Sequence, residues 1–100
     1  MYVYNLTMVV GDGVFSEWQE WLKSSYLPRV KAIEGVENVR VFKLLDVPEK
    51  HYAVHCEISS PMLLLRFTTD IVPELLQEAA GLFGEEVLFW GTQLKEMIND

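Results

Sequence analysis

Two side chains near the middle of the chain have the types and the spacing to move a proton. His55 and Glu57 stand two apart in a run that alternates apolar and polar residues, so as a strand it would hold both on one face. Their Cα atoms would then lie about 7 Å apart, close enough for the carboxylate to raise the basicity of the imidazole. Asn5 and Thr7 repeat the same two-residue spacing near the start of the chain and add an amide and a hydroxyl. Trp21 and Tyr26 offer aromatic walls for a hydrophobic or planar molecule. Together Asn5, Thr7, Trp21, Tyr26, His55 and Glu57 form the candidate ligand pocket, with no residue assigned as catalytic. An ordinary polar pair at an interface competes with the acid/base reading of His55 and Glu57, because no third group orients the imidazole. Trp18 reads as core.

Other chemistries are excluded more firmly. His51 shares a face with His55, but four strand residues separate them by about 13 Å, too far to ligate one metal. One cysteine, Cys56, permits no internal disulfide and no thiolate-rich zinc site. It alternates with Val54 and Ile58, which marks it as a buried, inert thiol. Gly11-Asp12-Gly13 lacks the fuller glycine pattern of a phosphate cradle and reads as a turn. Neither metal nor cofactor is expected. Eight basic against fifteen acidic residues leave a net charge of −7, which repels phosphate backbones and anionic lipid headgroups. Nucleic acid and membrane are therefore poor partners. The first residues lack a basic stretch followed by an apolar run, and no apolar stretch approaches the roughly 20 residues of a spanning helix, so a cytoplasmic protein is expected.

The elements that must position these residues follow from periodicity. Tyr2 to Val10 alternates, with Tyr2, Tyr4, Leu6, Met8 and Val10 on one face. Ser16 and Gln19 have the spacing of a capping box at the start of a helix whose stripe is Trp18, Leu22, Tyr26, Val30 and Ile33. Pro28 predicts a kink near Leu27, and Gly35 a stop. Asn38 to Val47 and His51 to Ser59 make a hairpin around Pro48-Glu49-Lys50. Ser60 and Pro61 open a second helix with Leu64, Phe67, Ile71, Leu75, Ala79 and Leu82 on its stripe, a bend at Pro73 and a stop at Phe83-Gly84. Glu86 to Leu94 is a last strand before a short polar tail.

The order βαββαβ over 100 residues, half of them hydrophobic, predicts one α+β domain of ferredoxin-like fold spanning residues 1–100. Its four-stranded antiparallel sheet carries two helices on one face. The other face then holds Val3, Asn5, Thr7, Val9, Ala53, His55 and Glu57, and each possible register of strands two and four adds apolar residues to it. A second copy is the economical cover.

Several local strings carry a likeness. Tyr4-Asn5-Leu6-Thr7, the Trp18 and Trp21 pair before Leu27-Pro28, Val39-Arg40-Val41-Phe42-Lys43-Leu44-Leu45, His51-Tyr52-Ala53-Val54-His55, Pro73-Glu74-Leu75 and Phe83-Gly84 follow one another as in a bacterial family. The chain resembles that domain of unknown function, within the dimeric α/β-barrel superfamily. The resemblance implies a homodimer whose open sheet faces meet around a pocket. The family pattern has His where this chain has Tyr26 and Arg where it has Gly91. Monooxygenases of the same superfamily use a strand-one Asn, which Asn5 matches, with a Trp and a helix-two His that has no counterpart between Ser60 and Gly84. Three functions follow as alternatives: a homodimer that encloses a small, partly apolar, possible hydrophobic ligand; a cofactor-independent monooxygenase-like enzyme using Asn5, His55 and Glu57; and a purely structural dimer with a filled interface.

Overall fold

A computed structural model describes residues 1–98. Strand β1 (Tyr2–Val10) lies at the centre of a four-stranded sheet ordered β2-β3-β1-β4. It pairs antiparallel with β3 (Lys50–Ile58) on one side and β4 (Val87–Lys95) on the other. Strand β2 (Val36–Lys43) forms the outer edge beside β3. This is the expected ferredoxin-like α+β arrangement. The strict alternation of β1 sends Tyr4, Leu6, Met8 and Val10 into the core, where they meet Val54, Cys56 and Ile58 of β3.

Two helical rods cover that face. The first runs through α1 (Phe15–Trp21), one wide π turn (Leu22–Tyr26) and α2 (Leu27–Lys31). The second runs through α3 (Pro61–Arg66), a π turn (Phe67–Ile71) and α4 (Val72–Phe83). Where kinks are expected, near Pro28 and Pro73, each rod carries one of these wide turns just before the proline. In each rod the residue before proline donates its amide five residues back: Leu27 to the Leu22 carbonyl, Val72 to that of Phe67. Proline lacks the amide that would continue the ordinary ladder and crowds the preceding turn. The wide turn absorbs one extra residue there, and the rod continues.

That extra residue moves the buried stripe of the second rod, which jumps from Phe67 to Val72 and continues through Leu75, Ala79 and Phe83. Leu82, expected on the stripe, is exposed. Other boundaries also shift. A 3-10 turn (Asp12–Val14) leads into α1, its Val14 amide bonded to the Gly11 carbonyl, and the N-cap is Val14, so the Ser16–Gln19 capping box does not form. Strand β2 ends at Lys43, and Leu44 to Val47, rich in strand-formers, belongs to the loop; Leu45 is exposed. A bulge at Glu37 sets the register of β2 on β3. Ser60 caps α3 as its sequence predicts, its hydroxyl accepting the Leu63 amide at 3.3 Å. Gly84 ends the second rod with φ of 56°. The first rod ends at Lys31 with Ala32 as its C-cap, short of the stop expected at Gly35, which lies in the following turn with φ of 98°; side chains resist both φ values. The polar tail expected after Leu94 lies in its last two residues outside the described residues.

One close approach ties β4 to the core. A Cβ on Gly91 would lie 2.0 Å from the Tyr4 hydroxyl and 2.6 Å from the ring carbon that bears it. Tyr4 is itself buried and packed edge-on against Phe67, with ring centroids 5.4 Å apart. Gly91→Ala is expected to destabilise the fold by about 1–3 kcal/mol, because the phenol must leave a packed position. In a Tyr4→Leu background the same change should cost clearly less, and denaturation of the four species checks the coupling. Leu6→Ala, which opens a void in the core, should cost about 2–5 kcal/mol and more than Asn5→Ala.

Candidate functional site

The uncovered face of the sheet is built from four cross-strand rows. Phe42, Ala53, Thr7 and Trp90 make one, and Arg40, His55, Asn5 and Thr92 the next. Asn38, Glu57, Val3 and Leu94 lie beyond the second row, and His51, Val9 and Leu88 on the far side of the first. Thus β2 turns Asn38, Arg40 and Phe42 outward, while β4 turns Leu88, Trp90 and Leu94 outward and buries Val87.

The first row has a large residue at each end and two small ones between. Ala53 and Thr7 are each only 7% exposed although no helix covers them. The reason is the lean of the rings around them. The centroids of His51 and Trp90 are 6.2 Å apart, although β1 runs between their strands and two strand spacings amount to about 9.6 Å. The indole therefore reaches inward across β1. From the other side the Phe42 ring meets His55 edge-to-face at 4.9 Å. The small side chains of Ala53 and Thr7 leave the room that these rings occupy.

The second row is polar. Asn5 Nδ2 donates to Thr7 Oγ1 at 3.2 Å, while Asn5 Oδ1 is shielded from solvent and has no hydrogen-bond partner. Glu57 forms a loose ion pair with Arg40, 3.6 Å across to β2, and the Arg40 guanidinium also stands 5.5 Å from the centre of the Phe42 ring. Burial lowers the His55 pKa below its ordinary value, the Arg40 charge lowers it further, and Glu57 opposes both in part. Glu57 does act to make His55 more basic, as its spacing predicts, but desolvation and the Arg40 charge outweigh it and the net shift is downward. His55 is a neutral imidazole at pH 7, able to accept or donate one hydrogen bond.

The six sequence-derived candidates do not form one pocket. Asn5, Thr7, His55 and Glu57 share the open face. Trp21 and Tyr26 lie on the opposite side of the sheet, inside the core beneath the rods. Trp21 donates its indole N–H to Glu78 at 3.0 Å, where Ser25 and Arg29 also converge, and these donors hold the Glu78 carboxyl below the usual range. The Tyr26 hydroxyl is fully buried without a partner, and burial pushes its pKa well up. Cys56 is buried, its thiol pushed up to about 12, which makes it a poor nucleophile at neutral pH. Phe42, Trp90 and Arg40 were missed because their facing depends on the registers of β2 and β4, which periodicity alone left open; Ala53 of β3 lies on the open face, as its alternation predicts. The described residues contain no group of three His, Cys, Asp or Glu side chains placed to hold a metal, and no helix long and apolar enough to cross a membrane.

Fold and open face together define a ferredoxin-like α+β protein with an aromatic, partly polar uncovered sheet. The chain belongs to the DUF4286 family, a domain of unknown function, whose model matches residues 1–97. Similar solved structures share the fold at low identity. One, from Deinococcus radiodurans, is provisionally assigned as an antibiotic biosynthesis monooxygenase: it is 13% identical with a TM-score of 0.75, the match covering 100% of this chain and 98% of that one. An ethyl tert-butyl ether d (ethd) family protein from Bacillus halodurans is 16% identical with a TM-score of 0.66, over 97% and 100% of the two chains. A dimeric ferredoxin-like protein from an uncultured marine organism is 12% identical with a TM-score of 0.59, over 99% and 97%. No curated protein matches the chain in sequence.

The lowered His55 pKa fixes the sign of a pH effect. The unfolded chain binds this proton more tightly than the folded one, so the favourable contribution is full above the ordinary value of 6.5 and is lost as pH falls through the folded value. NMR titration should give His55 a midpoint below 6.5. Between about pH 7 and pH 5 the wild type should lose more stability than His55→Gln, as read by denaturant midpoints.

Proposed function

We propose that the protein works as a homodimer in which two open sheet faces meet and enclose a small, partly apolar ligand. The observation that carries this reading is the concentration of exposed apolar side chains on the one face without helices: Phe42, Leu88, Trp90 and Leu94 are each more than 40% exposed in a single copy. Four strands of about nine residues present roughly 600 Å² per copy, so two faces bury about 1,200 Å², the lower bound of a specific stable interface. The match to a structure described as a dimeric ferredoxin-like protein supports the pairing of two copies. A partner sheet would desolvate the apolar rim, while His55 and Asn5 of the polar row would stay available to orient what lies between.

A second reading, a cofactor-independent monooxygenase-like enzyme, is favoured by the neutral His55 beside Asn5 and by the provisional assignment of the Deinococcus protein. His55 would then take a proton from the substrate and Asn5 would hold it. The binding reading stands first because Glu57 is engaged with Arg40 and leaves the imidazole without an orienting carboxylate.

Light scattering at about 10 μM should give twice the chain mass, and Leu88→Glu, which places a charge in the interface, should shift the protein to monomer. A wild-type monomer under those conditions overturns the dimer. Native mass spectrometry of freshly purified protein should show added small-molecule mass on the dimer, and an enzyme would in addition consume dioxygen with that molecule.

A further inference from the structure

Resting on the reading of an enclosed ligand, we propose that the rings of Phe42, His55, His51 and Trp90 form a stacking platform for a flat, uncharged aromatic molecule. The geometry carries the ring shape of the ligand. Phe42 and His55 meet at 4.9 Å with planes 60° apart, and His51 and Trp90 at 6.2 Å with planes 71° apart. In an edge-to-face pair one ring braces the other, so each imidazole props a neighbouring ring whose outer surface remains open. Phe42 is 41% exposed and Trp90 47%, while the floor of Ala53 and Thr7 beneath them is already dry. Two braced aromatic surfaces exposed on one sheet face suit a flat ring stacked on them better than a bulky aliphatic group.

Charge selects among flat molecules. Arg40 is offset by Glu57 across the strands, so the face offers neither a free cation for an anion nor a free carboxylate for a cation. The net charge of −7 disfavours anions further. Single-stranded nucleic acid also stacks on sheet aromatics, but it needs a positively charged groove along its backbone.

The test uses the full-length protein with 2-naphthol, decahydro-2-naphthol (the same hydroxyl on a puckered frame), 2-naphthoate and an eight-residue oligothymidine, each titrated by calorimetry. The expected result is saturable binding of 2-naphthol, with the puckered alcohol, the anion and the oligonucleotide at least about tenfold weaker. Phe42→Leu and Trp90→Leu should each weaken 2-naphthol about tenfold while still unfolding in one cooperative denaturant transition. Equal binding of the puckered alcohol, tighter binding of the anion or oligonucleotide, or unchanged affinity in both variants overturns the platform. Should both variants become monomers that bind 2-naphthol as the wild type does, the rings serve the second copy and the proposal falls. Light scattering separates this from the parent reading. A wild-type monomer with ring-dependent binding supports the platform and overturns the enclosure; a dimer without ring-dependent binding does the reverse.

Discussion

The two-residue alternation of β1 is the constraint on which the rest of the molecule depends. This strand is paired along both edges, so its register fixes that of β3 and β4 at once. One slip would carry Leu6 and Met8 out of the core and drop Asn5 into it, at a cost several side chains deep. The same alternation that buries Tyr4, Leu6, Met8 and Val10 under the rods presents Val3, Asn5, Thr7 and Val9 to the other side. Core and candidate site are therefore two readings of one strand, and neither can be altered in register without the other.

The rods meet this sheet through an adjustment made twice. Both carry a proline within the helical run, and both place a single π turn before it, with the amide of the preceding residue reaching five positions back. The result is a continuous buried stripe at the expense of one wide turn per rod. In the second rod the turn decides which residues face the sheet: Val72 in place of Ile71, Phe83 in place of Leu82. In the first it sets Tyr26 deep in the core, where its hydroxyl finds no partner and its ring packs on Trp21.

What could be read from the residues alone was whatever depends on local pattern. The facing of β1 and β3, the hairpin around Pro48, the Ser60 cap and the stop at Gly84 all follow from spacing within a few residues. The fold class followed from their order. The misses share a different cause. The partner of Glu57 is Arg40, set by a bulge at Glu37 that no alternation announces. Phe42 and Trp90 belong to edge strands with apolar residues at both parities, so periodicity cannot choose their face. Trp21 and Tyr26 are aromatic and near polar groups, which fits a pocket wall and a core position equally well. Only the packing of the rods against the sheet separates the two.

The dryness of Ala53 and Thr7 reaches beyond the question of what occupies the open face. Because water is already excluded from the middle of that face, anything that later covers it takes its newly buried apolar area mainly from the outer surfaces of Phe42, Trp90, Leu88 and Leu94 and almost none from Ala53 and Thr7. The heat-capacity change of association should accordingly be smaller than a count of the apolar residues on the face would suggest, since that quantity follows newly buried apolar area. Part of the hydrophobic gain of assembly has already been realised in the folding of each separate chain.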